Sequence, residues 1–193
     1  MTPPAQIILL YFVIPLWLLA GLADWLCHRR TDIAHTAGPA ESVLHLLMFA
    51  EMALPLLACV FLEINAMVFL IMIAAFLAHE ATALWDVSYA VRRRWVSPIE
   101  QHVHSFLEMM PLTAGMLVAS LNWPQFLALF GLGDEAPRWT LAWDAGKLPA
   151  AYVAALLAAA ALLALLPYLE ELRRGLKAVR ARRRAFGNGG NGP

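Results

Sequence analysis

The sequence predicts an all-α integral membrane protein: five transmembrane helices, the first four forming a four-helix bundle around a polar interior near the cytoplasmic side. Three observations carry this expectation. The 193 residues are 61% hydrophobic with a mean hydropathy of +0.64, too apolar for a water-soluble domain of this size. Five stretches, at 5–27, 42–62, 64–90, 99–121 and 149–168, offer the ~20 mostly apolar residues that a bilayer-crossing helix needs. The basic residues gather at alternate ends of those stretches.

Helix one begins "MTPPAQ", with no basic residue and no small-residue cleavage site after its apolar run, so it reads as a retained span and not a secretory signal. It ends "ADWLCHRR", and helix two starts "PAESVLHLLMFAEM". Helix three closes as "LAHEATALWDVSYAVRRR". Helix four opens with "SPIE", in which Ser97 suits an N-cap, Pro98 the first helical position and Glu100 the third. The loop 122–148 carries Trp123, Trp139 and Trp143, as at an interfacial aromatic belt, and its "PQFLALFG" suits the membrane surface. Helix five has an Ala-rich core, "AAYVAALLAAAALLALL", without an ionisable residue. Its small residues suit close helix packing, including in a homo-oligomer.

Twelve of the fourteen Lys and Arg residues fall in three places: Arg29 and Arg30, Arg92 to Arg94, and the seven between Arg173 and Arg184. The other two, Arg138 and Lys147, share their loop with Asp134, Glu135 and Asp144. Basic residues favour the cytoplasmic side, so the N-terminus is expected outside and the C-terminus inside. Residues 1–168 then form one transmembrane domain. Residues 169–193 form a basic cytoplasmic tail that ends in a Gly-rich, disordered stretch and anchors topology, with anionic-lipid binding as the alternative. The expected location is the inner (cytoplasmic) membrane of a bacterium. Cys27 and Cys59 both fall inside spans, which argues against a structural disulfide. No segment resembles a nucleic-acid-binding module.

With this topology the ionisable residues fall at one depth. Residues four apart on a helix differ by ~40° and share a face. Asp24 and His28, Glu41 and His45, and Glu100 and His104 have that spacing. His79 and Asp86 are seven apart, a drift of ~20°. Each of four helices thus offers one carboxylate and one imidazole on one stripe. A carboxylate in mid-span costs about 2.5–3.5 kcal/mol on insertion scales. Glu51, Glu80, Asp86 and Glu108 have no Lys or Arg partner within the spans, because the arginines sit at helix ends. A divalent metal would supply the missing positive charge, and imidazole with carboxylate suits iron, manganese or zinc.

The expected metal ligands are therefore Asp24, His28, Glu41, His45, His79, Asp86, Glu100 and His104, enough for two divalent ions, with iron first and manganese or zinc as alternatives. Glu80, Glu108 and Glu51 are candidates for catalytic, second-layer or proton-carrying roles. Tyr89, Trp85 and Trp25 are close enough in sequence to line the pocket, although core packing fits each better. His102 lies ~160° around the helix from His104 and, with His35, reads as a residue of the surface or one supporting a ligand from behind. A weak internal repeat relates "PAESVLH" at 39–45 to "PIEQHVH" at 98–104.

The layout is similar to that of soluble ferritin-like dimetal bundles, which use carboxylates from two helices and Glu-x-x-His from two others. It departs in spacing, with Glu-x-x-x-His here, and in its extra histidines on helices one and three. The histidine-box clusters of membrane desaturases and hydroxylases are absent. The expected function is a membrane-embedded di-metal, di-iron oxidoreductase of hydroxylase or desaturase type. It would act on a lipid or another amphiphilic substrate at the cytoplasmic face. No flavin, nicotinamide or iron–sulfur motif is present, so such an enzyme needs a separate electron donor. The alternatives are a zinc-dependent lipid hydrolase and a non-enzymatic metal or proton transporter, with a b-haem electron carrier ranked last.

Overall fold

The computed structural model describes residues 3–144 and 148–188. Lys147 and the Gly-rich end lie outside the described residues. Helix α1 is Pro4–Arg30; α2 is Pro39–Phe61, α3 Ala66–Ala90, α4 Pro98–Leu121 and the short α5 Trp123–Leu129. Helix α6 runs through Ala150–Ala160, Ala161–Leu165 and Leu166–Asn188. Among the described residues there is no strand, only an isolated bridge between Leu62 and Trp143. Helices α1, α2, α3 and α6 are each long and apolar enough to cross a membrane, as an integral membrane protein requires. Helix α4 qualifies only together with α5, which leaves it at 106°.

Local chemistry sets the helix ends and irregularities. Ser97 Oγ accepts the Glu100 amide N–H at 3.1 Å and caps α4. Asn65 caps α3 by accepting from the amides of Met67 and Val68. Two π-turns interrupt the rods, Leu9–Val13 in α1 and Ala161–Leu165 in α6. Each lies just before a proline, Pro15 and Pro167. Proline lacks the N–H for the i−4 carbonyl and its ring clashes there, and a wider turn relieves both faults.

The helices form a ring. Helix α1 packs against α4 and α6, α2 against α3 and α6, and α3 against α4. The expected four-helix bundle therefore has a fifth wall, because α6 stands between α1 and α2. That approach is close: a Cβ on Gly175 would lie 3.0 Å from Pro39 Cα, so only glycine lets the two backbones come so near. Helix α6 also continues past residue 168, where the tail was expected to begin, for about five more turns of 3.6 residues. Leu165, Leu169, Leu172 and Leu176 keep a helical spacing through this region.

One end of the ring is apolar, with Leu9, Val13, Val60, Phe69, Val118 and Leu156 in a single core cluster. Outward-facing Leu70, Leu77 and Leu84 form an exposed stripe on α3, spaced by seven as on one helix face and suited to lipid. The other end is polar, and the histidines and carboxylates meet there.

Candidate metal centre

His28 and His45, from α1 and α2, lie face to face with ring centroids 4.4 Å apart and planes 10° from parallel. One carboxylate holds both. Glu171 of α6 places Oε2 2.9 Å from His28 Nδ1 and Oε1 2.9 Å from His45 Nδ1. A carboxylate accepts, so each ring presents its Nδ1–H to Glu171. The Nε2 atoms of both rings are buried and have no hydrogen-bond partner among the described residues. A neutral imidazole with its proton on Nδ1 presents a lone pair at Nε2, the form that binds metals. Donation of the other ring N–H to a carboxylate is the usual support of a metal-binding histidine.

The orphaned nitrogens face carboxylates at distances that suit a shared ion. His28 Nε2 lies 3.3 Å from Asp24 Oδ1 and 3.4 Å from Glu100 Oε1. His45 Nε2 lies 3.4 Å from Asp86 Oδ1. Ligand atoms about 2.1 Å from one metal, at right to tetrahedral angles, stand about 3.0–3.4 Å from each other. His104 Nε2 is 2.8 Å from Asp24 Oδ1, so Asp24, His28, Glu100 and His104 make one four-residue group that could hold a metal ion. Asp86 Oδ1 and Glu100 Oε2 are also buried without hydrogen bonds. Leaving so many buried polar atoms unpaired is costly unless something binds them.

A second group, His28, Glu41 and His45, is also compact enough for an ion. Glu41, however, already binds Arg94, whose Nε lies 3.0 Å from Oε1 and 3.3 Å from Oε2. The opposite of a lone carboxylate, Glu41 is half of a closed ion pair. His45 with Asp86 is the better start of a second half-site, since both keep an unpartnered atom.

Arg94 corrects one expectation. Instead of staying at a helix end, it folds back from the 91–97 loop and is 9% exposed, with its terminal nitrogen bonded to both Glu41 and Glu100. Burial pushes the guanidinium pKa down, but the hydrogen bonds it donates to Glu100 and Glu41 outweigh that and raise the value. The charge therefore persists and pairs with Glu41 and Glu100, neither of which is among the four carboxylates (Glu51, Glu80, Asp86, Glu108) that the sequence leaves without a cation. The "SPIE" capping box is correspondingly half formed: Ser97 caps, while the Glu100 side chain turns inward to Arg94 and His28.

His79 is not in the cluster. It lies about 10 Å along α3 from Asp86 by helical rise, with Nδ1 buried, unpartnered and 4.0 Å from Glu51 Oε2. Glu51 accepts from Thr82 Oγ1 at 2.8 Å. Glu80 keeps a buried, unpartnered Oε1 outside the cavity lining, whereas Glu108 lines the cavity. His35 and His102 are exposed, and His35 pairs with Asp32. Trp25, Trp85 and Tyr89 do not line the cavity; Trp25 donates to Glu170 and Tyr89 to the Ala37 carbonyl.

Sequence reasoning missed Glu171, Tyr168 and Arg94. Tyr168 is buried beside His45, with ring centroids 5.7 Å apart. The available signal was the leucine spacing that carries α6 past residue 168. A cavity of about 290 Å³ opens over the centre. Its polar lining is Asp24, His45, His79, Asp86, His104 and Glu108 at one end, and the remainder is nearly all hydrocarbon, including Trp17, Met52 and Ala164.

The fold and site thus define a helical membrane-span protein with a buried His/Asp/Glu group able to hold metal. Compared with protein families, curated proteins and solved structures, the chain finds no match.

Proposed function

We propose that the chain is a membrane-embedded enzyme with a dinuclear metal centre, an oxidoreductase of hydroxylase or desaturase type that acts on a lipid-soluble substrate. The observation that supports it best is the pair His28 and His45, held by one carboxylate, with both Nε2 atoms buried and unpartnered. The 4.4 Å ring separation is comparable with the about 3.5–4 Å between ions in two-metal sites. Asp24, Glu100 and His104 would complete one half-site with His28, and Asp86 would begin the other with His45. Iron is the preferred ion, and the basic bias favours a centre near the cytoplasmic face.

The hydrocarbon lining favours oxidation of a C–H bond over hydrolysis of a polar group. For hydroxylation the balance is R–H + O₂ + two electrons + two protons giving R–OH + H₂O. Bound iron would supply oxygen activation, and a separate reductase would supply the electrons. The chain's own groups would exclude bulk water, through the Arg94–Glu41–Glu100 closure, and carry protons, with Glu108 at the cavity wall.

A second reading is a zinc-dependent lipid hydrolase, favoured by the completeness of the Asp24–His28–Glu100–His104 group on its own. Metal analysis of protein purified without a metal-affinity column separates the two. Two irons per chain with an oxo-bridge absorption band support the oxidoreductase, and one zinc without redox change supports the hydrolase. Absence of stoichiometric metal, unchanged by His45→Ala and His104→Ala, would sink both.

A further inference from the structure

We infer that the substrate is a single-chain amphiphile that enters sideways from the membrane between α2 and α6. Its polar end sits on the floor made by Asp24, His45, Asp86 and His104, and its hydrocarbon tail runs along the bundle axis. The assignment of the floor as the reacting end rests on the metal-centre reading; the tail site does not.

A second cavity, of about 450 Å³, adjoins the first. Ile14, Trp17, Met52 and Leu56 line both, so the two spaces are neighbours with these side chains as their common boundary. The second cavity is walled by residues such as Leu9, Phe69, Met72, Gly115 and Phe126. Ser120 there donates its hydroxyl to the Leu117 carbonyl at 2.8 Å, and Cys59 its thiol to Met72 Sδ at 3.5 Å. On α1 the lining runs from Asp24 to Leu9. At 1.5 Å per residue that is about 22 Å, most of a hydrocarbon layer about 30 Å thick. The carboxylates and imidazoles of the lining gather toward the Asp24 end, with His79 about 10 Å farther along α3 than Asp86, and the Leu9 end is nearly all hydrocarbon. This asymmetry matches an amphiphile seated head to floor.

The way in is lateral. Helix α2 packs mainly against the Leu166–Asn188 part of α6. The Ala150–Ala160 part leans on α1 instead, where Tyr152 donates its hydroxyl to the Leu10 carbonyl at 2.8 Å and its ring meets Tyr11 edge-on. Leu57 of α2 and Leu157 of α6 both line the cavity and are exposed, which marks a portal between these helices. Arg94, Glu41 and Glu100, all buried, close the opposite approach from the polar end. The small side chains Ala160, Ala161 and Ala164 of α6 give the chain its room.

The test uses the full chain in lipid nanodiscs with two photoreactive hexadecanoic acids, one carrying its diazirine at the tail end and one beside the carboxyl. The tail probe is expected to label Phe69 and Val118, which are buried and line the second cavity. The head probe is expected to label Met48 and Leu107 near the floor. Gly115→Leu should abolish the tail label and leave the head label, because a Cβ there meets only Met72 Cε at 4.0 Å and the longer side chain fills the space. Labels confined to lipid-facing Leu54, Leu70 and Met109 overturn the site, and exchanged labels overturn the orientation. Metal content is measured on the same samples: interior labelling without metal leaves the tail site standing and removes the metal reading.

Discussion

Glu171 accepts from His28 Nδ1 at 2.9 Å across a sequence separation of 143 residues, and the same carboxylate takes His45 at its other oxygen. One residue on α6 therefore fixes the ring orientation of two histidines on α1 and α2. Loss of such a supporting partner lowers metal affinity by about 10–100-fold. Glu171→Ala should fold, as judged by helical circular dichroism, yet lose most of its metal under dilute chelator. Metal retained at the wild-type level would show that Glu171 does not support the centre.

Removing one histidine of the stacked pair should separate the half-sites. His45→Ala leaves the Asp24–His28–Glu100–His104 group intact, so it should keep about one ion where the parent holds two, consistent with a two-metal centre. His28→Ala removes a ligand of that four-residue group and leaves His45 with Asp86, so it should retain less metal than His45→Ala. Equal metal content in the two variants would rule out two distinct half-sites.

Arg94 gives a stability prediction. Replacing it with methionine leaves Glu41 and Glu100 buried without their cation, and breaking a buried pair in this way typically costs about 3–5 kcal/mol. The thermal midpoint in detergent should fall sharply for Arg94→Met and recover in part when Glu41→Gln is added. An unchanged midpoint for the single variant would mean that water reaches these carboxylates.

Gly175 lies one turn beyond Glu171 on α6 and faces the first residue of α2. Gly175→Ala forces a Cβ into Pro39, an overpacking that costs about 1–3 kcal/mol, and moves α6 outward where it presents Glu171. Metal affinity should drop without any change to a ligand. A variant that is destabilised but binds metal normally would show that the ring accommodates the shift elsewhere.

The helices, and four of the five expected spans, were legible because hydropathy and helical spacing are local; α4 qualifies as a span only together with α5. The expected stretches 42–62, 64–90 and 99–121 fall within a few residues of α2, α3 and α4. The pairs Asp24–His28, Glu41–His45 and Glu100–His104 were also legible, since an i,i+4 spacing settles which face they share. Arg94 was not, because its partners depend on a loop folding back, and a basic residue after a helix carries the topology signal whether it is buried or solvated. Glu171 was hidden for a related reason: in "YLEELRRG" an acidic residue among arginines reads as a solvated face until α2 is placed against it. His79 fails in the opposite sense, since its seven-residue spacing from Asp86 sets the face correctly but not the depth.

The order of the chain has a further meaning for Glu171. It lies on α6, which leaves the ribosome after α1 and α2, the helices that carry both histidines it orients. Until α6 joins the ring, His28 and His45 lack the carboxylate that orders them, and the wall between α1 and α2 is missing. Maturation of the centre is thereby tied to synthesis of α6, so that a chain interrupted before residue 171 would carry the ligands without the means to assemble them.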